Sequence, residues 1–377
     1  MKISLMNNRT ISWITPSYFL DVDLPIVNEL CKQYTIYWIV LLGNNGNSDD
    51  EAFINAKINK CDKLCVTYYH YKTRWYSLGR ISEINKVIDL AKSVSPDLYY
   101  LSESFLPYGT ILYRRKLPID KCVVACHNVT TPKGARHEML ARWYTNRWLN
   151  TFTNIQTFSE CQRKVLLSKY RNKNVLTAHL AIKDYGEPTK LVDKTELPYI
   201  RFLVFGNIVH YKRIDLLLNA VNILYDRGIK NFRVRIAGYC RQWNDEYAGL
   251  VKHPELFEFM IKRIPNEDVA NLFVDSHYFV MPYQDIAQSG AMTVAFRYNL
   301  PLILSDIPQF KEFVDDGVNG FTFHTQNVTS LADKMEWVIN SHQLMYDKVC
   351  ANQRKFVDEK FSLRAITKLY REYFDKL

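Results

Sequence analysis

Three stretches of the chain carry residues suited to holding an anion. In "FLVFGNIVHYKRIDLLL" an apolar run ends at Gly206, a loop follows, and Lys212 stands at the start of a helical pattern. Glycine lets the backbone approach a ligand closely, and a lysine ammonium supplies a point charge to a phosphate. In "QDIAQSGAMTVAF", Gln284 to Phe296, a Ser-Gly pair precedes an apolar helix. Ser289 can cap that helix. The free amides of Gly290 and Ala291, with the helix dipole, then favour an anion. In "RIAGYCRQW" a strand ends at Gly238, placed to shape the wall beside a base. Each feature also has a plainer reading: Gly206 turns the chain, Lys212 is a solvated lysine, and Ser289 is only a cap.

The elements that must position these residues follow from periodicity. The runs at 11–16, 34–43, 63–71, 97–102, 121–128 and 154–159 are rich in Val, Ile, Tyr and Cys and read as strands. Helical stretches such as "DLPIVNELCKQ" and "ISEINKVIDLAKSV" lie between them. A polar stretch with two prolines, "AIKDYGEPTKLVDKTELP", then reads as a linker, after which the pattern restarts. "YIRFLVFGNI", "FRVRIAGYC", "HYFVMPY" and "PLILSD" are strands, and a helix closes at Gly228. Strand–helix alternation predicts an α/β chain of two doubly wound, Rossmann-like domains. Such sheets bind ligands at their C-terminal strand edges, so a cleft is expected where the two face each other. The expected domains are 1–185 and 196–358, with an amphipathic last helix, about 360–377, crossing back to the first.

The chain of 377 residues is long enough for two cores. A hydrophobic share of 47% argues against wholesale disorder. No apolar run reaches the roughly 18–20 residues that span a bilayer, and the start reads as lacking a signal peptide. A cytoplasmic protein is expected, with its eight cysteines reduced and structural. Lys plus Arg number 49 against 39 Asp plus Glu, an excess suited to an anionic partner. No nucleic-acid-binding module accompanies that charge, so no nucleic acid is expected.

Several motifs fail on inspection. "LLGNNGN" has the wrong spacing for a dinucleotide fingerprint, and no P-loop occurs. "HEMLA" (137–141) lacks the second histidine of a zinc-protease helix. No G-x-S-x-G elbow is present. The "DVD" triplet at 21–23 does not present itself as a metal site: it follows the first strand, in the half expected to bind acceptor, and reads as a solvated loop.

The order of "FGNIVHYKRIDLLLNAV", "IPNEDVANLFVDSHYFVMPYQDIAQSGAMTVAF" and "NLPLILSDIPQFKEFVDDGVNGFTF" resembles the C-terminal domain of GT-B glycosyltransferases of the retaining, family-4-like group. The resemblance covers roughly 155–350 and reaches the first half only through "CHN" (126–128) and "QTFSECQRKVL" (156–166). It implies a transfer from a UDP- or GDP-linked sugar to a saccharide or lipid-linked acceptor, with no other cofactor. Gly206, Asn207, Lys212, Ser289, Gly290 and Ala291 match the donor diphosphate site. Gly238, Arg263 and Ile264 match the nucleoside site. Asp285 and Gln288 fall at the donor sugar, and His127 falls where the first domain presents a residue to that sugar. Lys212, His127 and Asp285 are the expected catalytic residues. Two positions depart from the pattern: Val294 stands where the second of two glutamates is common, and Asn207 where an arginine is common. A branch that reads "PY…QSG" shares the first departure.

Breaking a sugar–phosphate bond builds charge on the leaving diphosphate, which Lys212 and the amides at 290–291 would stabilise without a metal. His127 reads equally as a structural histidine, and Glu312 as a helix residue with a neighbouring partner or as a ribose contact in place of the missing glutamate. In "RHEMLARWYTNRWLNTF" (136–152), Arg136, Arg142, Trp143, Arg147 and Trp148 recur near helical spacing. That helix suits peripheral contact with an anionic membrane, hence surface-polysaccharide or lipopolysaccharide assembly, or simple packing on its domain. Two other functions fit the same fold: a non-catalytic scaffold or partner subunit, and a sugar-nucleotide epimerase.

Overall fold

The computed structural model describes residues 9–43, 48–74, 76–102, 109–130, 138–190, 194 and 197–377. The chain forms two compact units: Met1–Ala181 with Ser362–Leu377, and Ile182–Phe361.

The first unit is built on seven parallel strands: β1 (Thr10–Pro16), β2 (Thr35–Leu42), β3 (Leu64–His70), β4 (Leu98–Leu101), β5 (Cys122–Ala125), β6 (Asn154–Thr157) and β7 (Asn174–Thr177). Their order is β3-β2-β1-β4-β5-β6-β7. Successive residues of one strand feed opposite cores. Trp13 and Trp38 enter one cluster, while Ile14 and Ile39 enter the other. Both faces are thus covered, which explains the near-continuous apolar runs. The covering helices are α1 (Leu20–Leu30), α2 (Ser48–Lys57), α3 (Gly79–Lys92), α4 (Gly109–Lys116), α5 (Glu138–Thr151) and α6 (Glu160–Lys169), joined by the last helix, α12 (Leu363–Phe374). In α12, the Tyr370 hydroxyl accepts from Gln156 (2.6 Å) and the Tyr373 hydroxyl donates to the Asn174 carbonyl (2.9 Å). These bonds tie the chain end to β6 and β7.

"DVD" is not a solvated loop. It lies in α1, and Asp23 is buried where strand order reverses between β1 and β4. Trp13 Nε1 (3.1 Å), Thr15 Oγ1 (2.6 Å) and Ser102 Oγ all donate to its Oδ2. Burial nonetheless outweighs those bonds and raises its pKa to about 6.

The second unit has six parallel strands: β8 (Ile200–Phe205), β9 (Phe232–Ala237), β10 (Phe257–Met260), β11 (Tyr278–Met281), β12 (Leu302–Ser305) and β13 (Phe321–Phe323), in the order β10-β9-β8-β11-β12-β13. Its helices are α7 (Ile214–Asp226), α8 (Trp243–Glu246), α9 (Asn266–Val274), α10 (Gly290–Arg297) and the 34-residue α11 (Val328–Phe361). Gly228 ends α7 at φ +83°, a conformation that favours glycine. Strand order reverses between β8 and β11, which is where an open α/β sheet offers its ligand crevice.

Candidate diphosphate site at the edge of the second sheet

The strand ends of the second unit are stitched to one another beyond the sheet proper. Gly206 N–H donates to the Ala237 carbonyl (2.9 Å), Ile208 N–H to Tyr239 (2.9 Å), and Gly238 N–H to Met260 (3.0 Å). The expected site residues that follow β8, β9 and β10 therefore share one edge. Gly206 sits at φ +95°. A Cβ built on it would lie 3.1 Å from Lys212 Nζ, so glycine leaves room for the amine. A Cβ on Gly238 would meet the Gly206 carbonyl oxygen at 2.1 Å. The tight constraint on Gly238 is thus close approach of two backbones, rather than the wall beside a base.

Lys212 lies in a short 3-10 turn (His210–Lys212) that precedes α7, and it is buried. The reading of a solvated lysine is overturned. Its Nζ donates to the Phe205 carbonyl (3.3 Å) and stands 5.4 Å from the centre of the Tyr283 ring. Among the described residues no carboxylate pairs with it, and burial pushes its pKa down to about 8. A buried cation without a counter-charge is costly unless an anion arrives.

The loop after β11 is fixed against the same turn. Gln284 N–H donates to the Tyr211 carbonyl (2.9 Å), and the Tyr211 and Tyr283 rings meet edge to face at 5.7 Å. Arg213, at φ +50°, reaches Gln284 Oε1 (3.4 Å) and pairs with Asp215 (2.7 Å). Along this loop Asp285 accepts from Gln309 Nε2 (3.2 Å). Gln288 has both side-chain amide atoms buried without a hydrogen-bond partner. Ser289 then caps α10, accepting from Met292 N–H (3.3 Å). The first-turn amides of Gly290 and Ala291 have no acceptor within the helix by its geometry, and nothing lies within 4 Å of a Cβ built on Gly290.

The remaining expected residues fall outside this cluster of contacts. Asn207 and Arg263 are exposed, while Ile264 packs partly into the core beside β11 and α10. Val294 is buried in that core, and Glu312 is half-buried. Sequence reasoning singles out neither Tyr211 nor Arg213, and it reaches Tyr283 only through the "PY" before the Ser-Gly helix.

In the first unit His127 follows β5, its ring stacked between Phe19 (3.9 Å) and Phe158 (4.2 Å). Burial lowers its pKa to about 3, so the imidazole is neutral at ordinary pH. On α5, Trp143 is exposed but Trp148 is buried against Phe152 and Tyr113. Five residues turn a helix by about 140° beyond one full turn, so the two tryptophans cannot share a membrane-facing side. Arg136 lies outside the described residues. Among the described residues no group of three or more His, Cys, Asp or Glu is placed to hold a metal, and no helix is long and apolar enough to cross a membrane.

Residues 200–341 match the family described as Glycosyl transferases group 1. The chain is 21% identical over 229 residues to a poly(ribitol-phosphate) alpha-N-acetylglucosaminyltransferase of Staphylococcus aureus, covering 60% of this chain and 44% of that protein. It is 25% identical over 165 residues to the capsular polysaccharide biosynthesis glycosyltransferase CapM of Staphylococcus aureus, covering 43% and 42%. The chain thus spans less than half the length of these curated relatives. In three dimensions it resembles Anabaena HepE in complex with UDP and glucose, with a TM-score of 0.72 at 13% identity over 98% of this chain and 100% of that one. Residues 200–341 are therefore a glycosyl transferases group 1 domain, and the chain as a whole has the two-Rossmann-unit fold of GT-B glycosyltransferases.

Proposed function

We propose that the protein is a retaining, metal-independent hexosyltransferase that moves a sugar from a UDP- or GDP-linked donor to a saccharide or lipid-linked acceptor. The observation that carries this reading is Lys212: a buried amine without a carboxylate partner among the described residues, at the sheet edge where strand order reverses. The donor diphosphate supplies the missing counter-charge. As the sugar–phosphate bond breaks, charge grows on that group, and the Lys212 ammonium with the amides of Gly290 and Ala291 stabilises it. Gly206 and Asn207 border the same group, and Arg263 and Ile264 the nucleoside. Asp285 and the unsatisfied amide of Gln288 take sugar hydroxyls. In the first unit, neutral His127 acts as a hydrogen-bonding group and not as an acid.

The names of the two Staphylococcus relatives support surface-polymer assembly, and the alpha linkage in one supports retention. The exposed Arg142, Trp143 and Arg147 of α5 are the part of that helix left to meet an anionic membrane face in the cytoplasm. The test is a thermal-shift panel of UDP, GDP, ADP and CMP on wild type and Lys212→Ala. A rise with one nucleotide, lost in the variant, supports the reading. No rise with any of them moves the non-catalytic scaffold to the front. Activity lost in EDTA and restored by manganese overturns metal independence.

A further inference from the structure

The second unit has a cavity at the opposite end of its sheet. It has a volume of about 440 Å³ and is lined by Lys194, Tyr199, Asn231, His277, His342 and Tyr346, among others. That volume falls in the range of small-molecule sites. Tyr199 and Ile200 place it at the start of β8, and His277 immediately precedes β11. Gly206 and the Lys212 turn lie past the far end of β8, ~20 Å away along six strand residues. The two sites are therefore separate, though the same two neighbouring strands run from one to the other.

The chemistry of the lining points to an anion. Lys194 is half-buried, and among the described residues its Nζ hydrogen-bonds to the Tyr346 hydroxyl alone, at a long 3.4 Å. Among the described residues it has no carboxylate in ion-pair distance, and burial lowers its pKa to about 8 against the weaker opposing pull of Cys350 and Asp275. His277 is held as a fixed wall. Its Nδ1 accepts from Arg201 N–H (3.0 Å) and its Nε2 donates to the Lys194 carbonyl (3.3 Å). His342 pairs through Nδ1 with the Tyr278 hydroxyl (3.0 Å), leaving Nε2 without a partner among the described residues. Asn231 and Asn340 add amide groups, and the one lining carboxylate, Asp347, is exposed on α11. A half-buried ammonium beside an open imidazole and neutral amides, with no carboxylate in ion-pair distance among the described residues, suits a negative group.

We infer that this cavity is a second ligand site, distinct from the diphosphate edge, that takes a small phosphate-bearing molecule with its phosphate on Lys194 and His342. The rim residues Asp347 and Gln343 are placed to meet hydroxyls on the remainder of such a ligand. Nothing in this inference depends on the proposed transferase activity.

The test uses the full chain, with inorganic phosphate and ribose 5-phosphate as probes at constant ionic strength. Dissociation constants are measured by calorimetry for wild type, Lys194→Met, Gln343→Trp and Lys212→Met. Gln343 is an exposed residue of α11, so Gln343→Trp fills the cavity mouth without touching the buried groups. The expected result is at least tenfold weaker binding in Lys194→Met and Gln343→Trp, with Lys212→Met unchanged. Tighter binding of ribose 5-phosphate identifies an organic phosphate as the ligand, and equal binding identifies phosphate itself. The inference is overturned if neither probe binds wild type, or if binding is lost in Lys212→Met and retained in Lys194→Met and Gln343→Trp.

Discussion

Lys212→Met should make the protein more stable and less able to bind a nucleotide. Burial lowers the lysine pKa from 10.5 to about 8, so the charged form is penalised in the fold by about 3 kcal/mol. The sign follows from proton counts. Between pH 8 and 10.5 the unfolded chain holds a proton that the folded chain has released, so wild-type stability rises with pH across that window. At pH 7 the folded lysine is still charged and the whole penalty is present. Methionine keeps the length of the side chain and removes the charge, at the cost of one long bond to the Phe205 carbonyl and the cation's contact with the Tyr283 ring. The net gain should approach 3 kcal/mol, or roughly 6–12 °C in the melting of a unit this size.

Binding should run the other way. A diphosphate holds the ammonium in its charged state, so wild-type affinity for UDP should fall about tenfold per pH unit above pH 8, whereas the variant's affinity should be low and flat. Melting curves of both proteins from pH 7 to 10, with and without UDP, read both effects. The reasoning is refuted if Lys212→Met melts at or below wild type at pH 7 while keeping the UDP shift. Its amine would then be neither an unpaired charge in the fold nor a phosphate ligand.

Other substitutions probe the frame around that amine and the first unit. Gly238→Ala puts a methyl 2.1 Å from the Gly206 carbonyl oxygen; it should lower the melting temperature and, by displacing Gly206, abolish any nucleotide shift. Ser289→Ala removes the cap on α10 and should cost about 1 kcal/mol in denaturant unfolding. Asp23, raised from 3.8 to about 6 by burial, holds its proton in the fold after the unfolded chain has lost it. Stability should therefore fall by about 3 kcal/mol as pH rises from 4 to 6, and Asp23→Asn should flatten that decline in urea titrations. Trp148→Ala should cost about 3–5 kcal/mol as a core deletion. Trp143→Ala should leave stability nearly unchanged and weaken sedimentation with anionic vesicles.

The architecture was readable because its signals are local. The run 34–43 contains β2, and the apolar rhythm of α7 ends at a glycine whose positive φ stops the helix. β7, β10 and β13 escaped because each is a short strand at an edge of its sheet, where neither a repeating period of two nor a long apolar run marks it. Their strand state comes from pairing with a neighbour already in place.

The site divides along the same line. Ser289 stood out because it adjoins Gly290 at a helix start, and Lys212 because it stands at the next helix start after the strand-end Gly206, both local signs of backbone approaching a ligand. What surrounds them is non-local. Arg213 reaches Gln284 across 71 positions, and Ser102 reaches Asp23 across 79. Gly238 shows how a residue type can be legible while its reason is not. Its spacing after a strand marked a place where a side chain would intrude, but only the sheet order, which sets β9 beside β8, identifies the Gly206 backbone as what it would strike. Were the glycine there for a ligand, alanine would weaken binding and leave the apo fold intact. Because the obstacle is backbone, the apo protein itself should be destabilised, which separates the two explanations without any ligand.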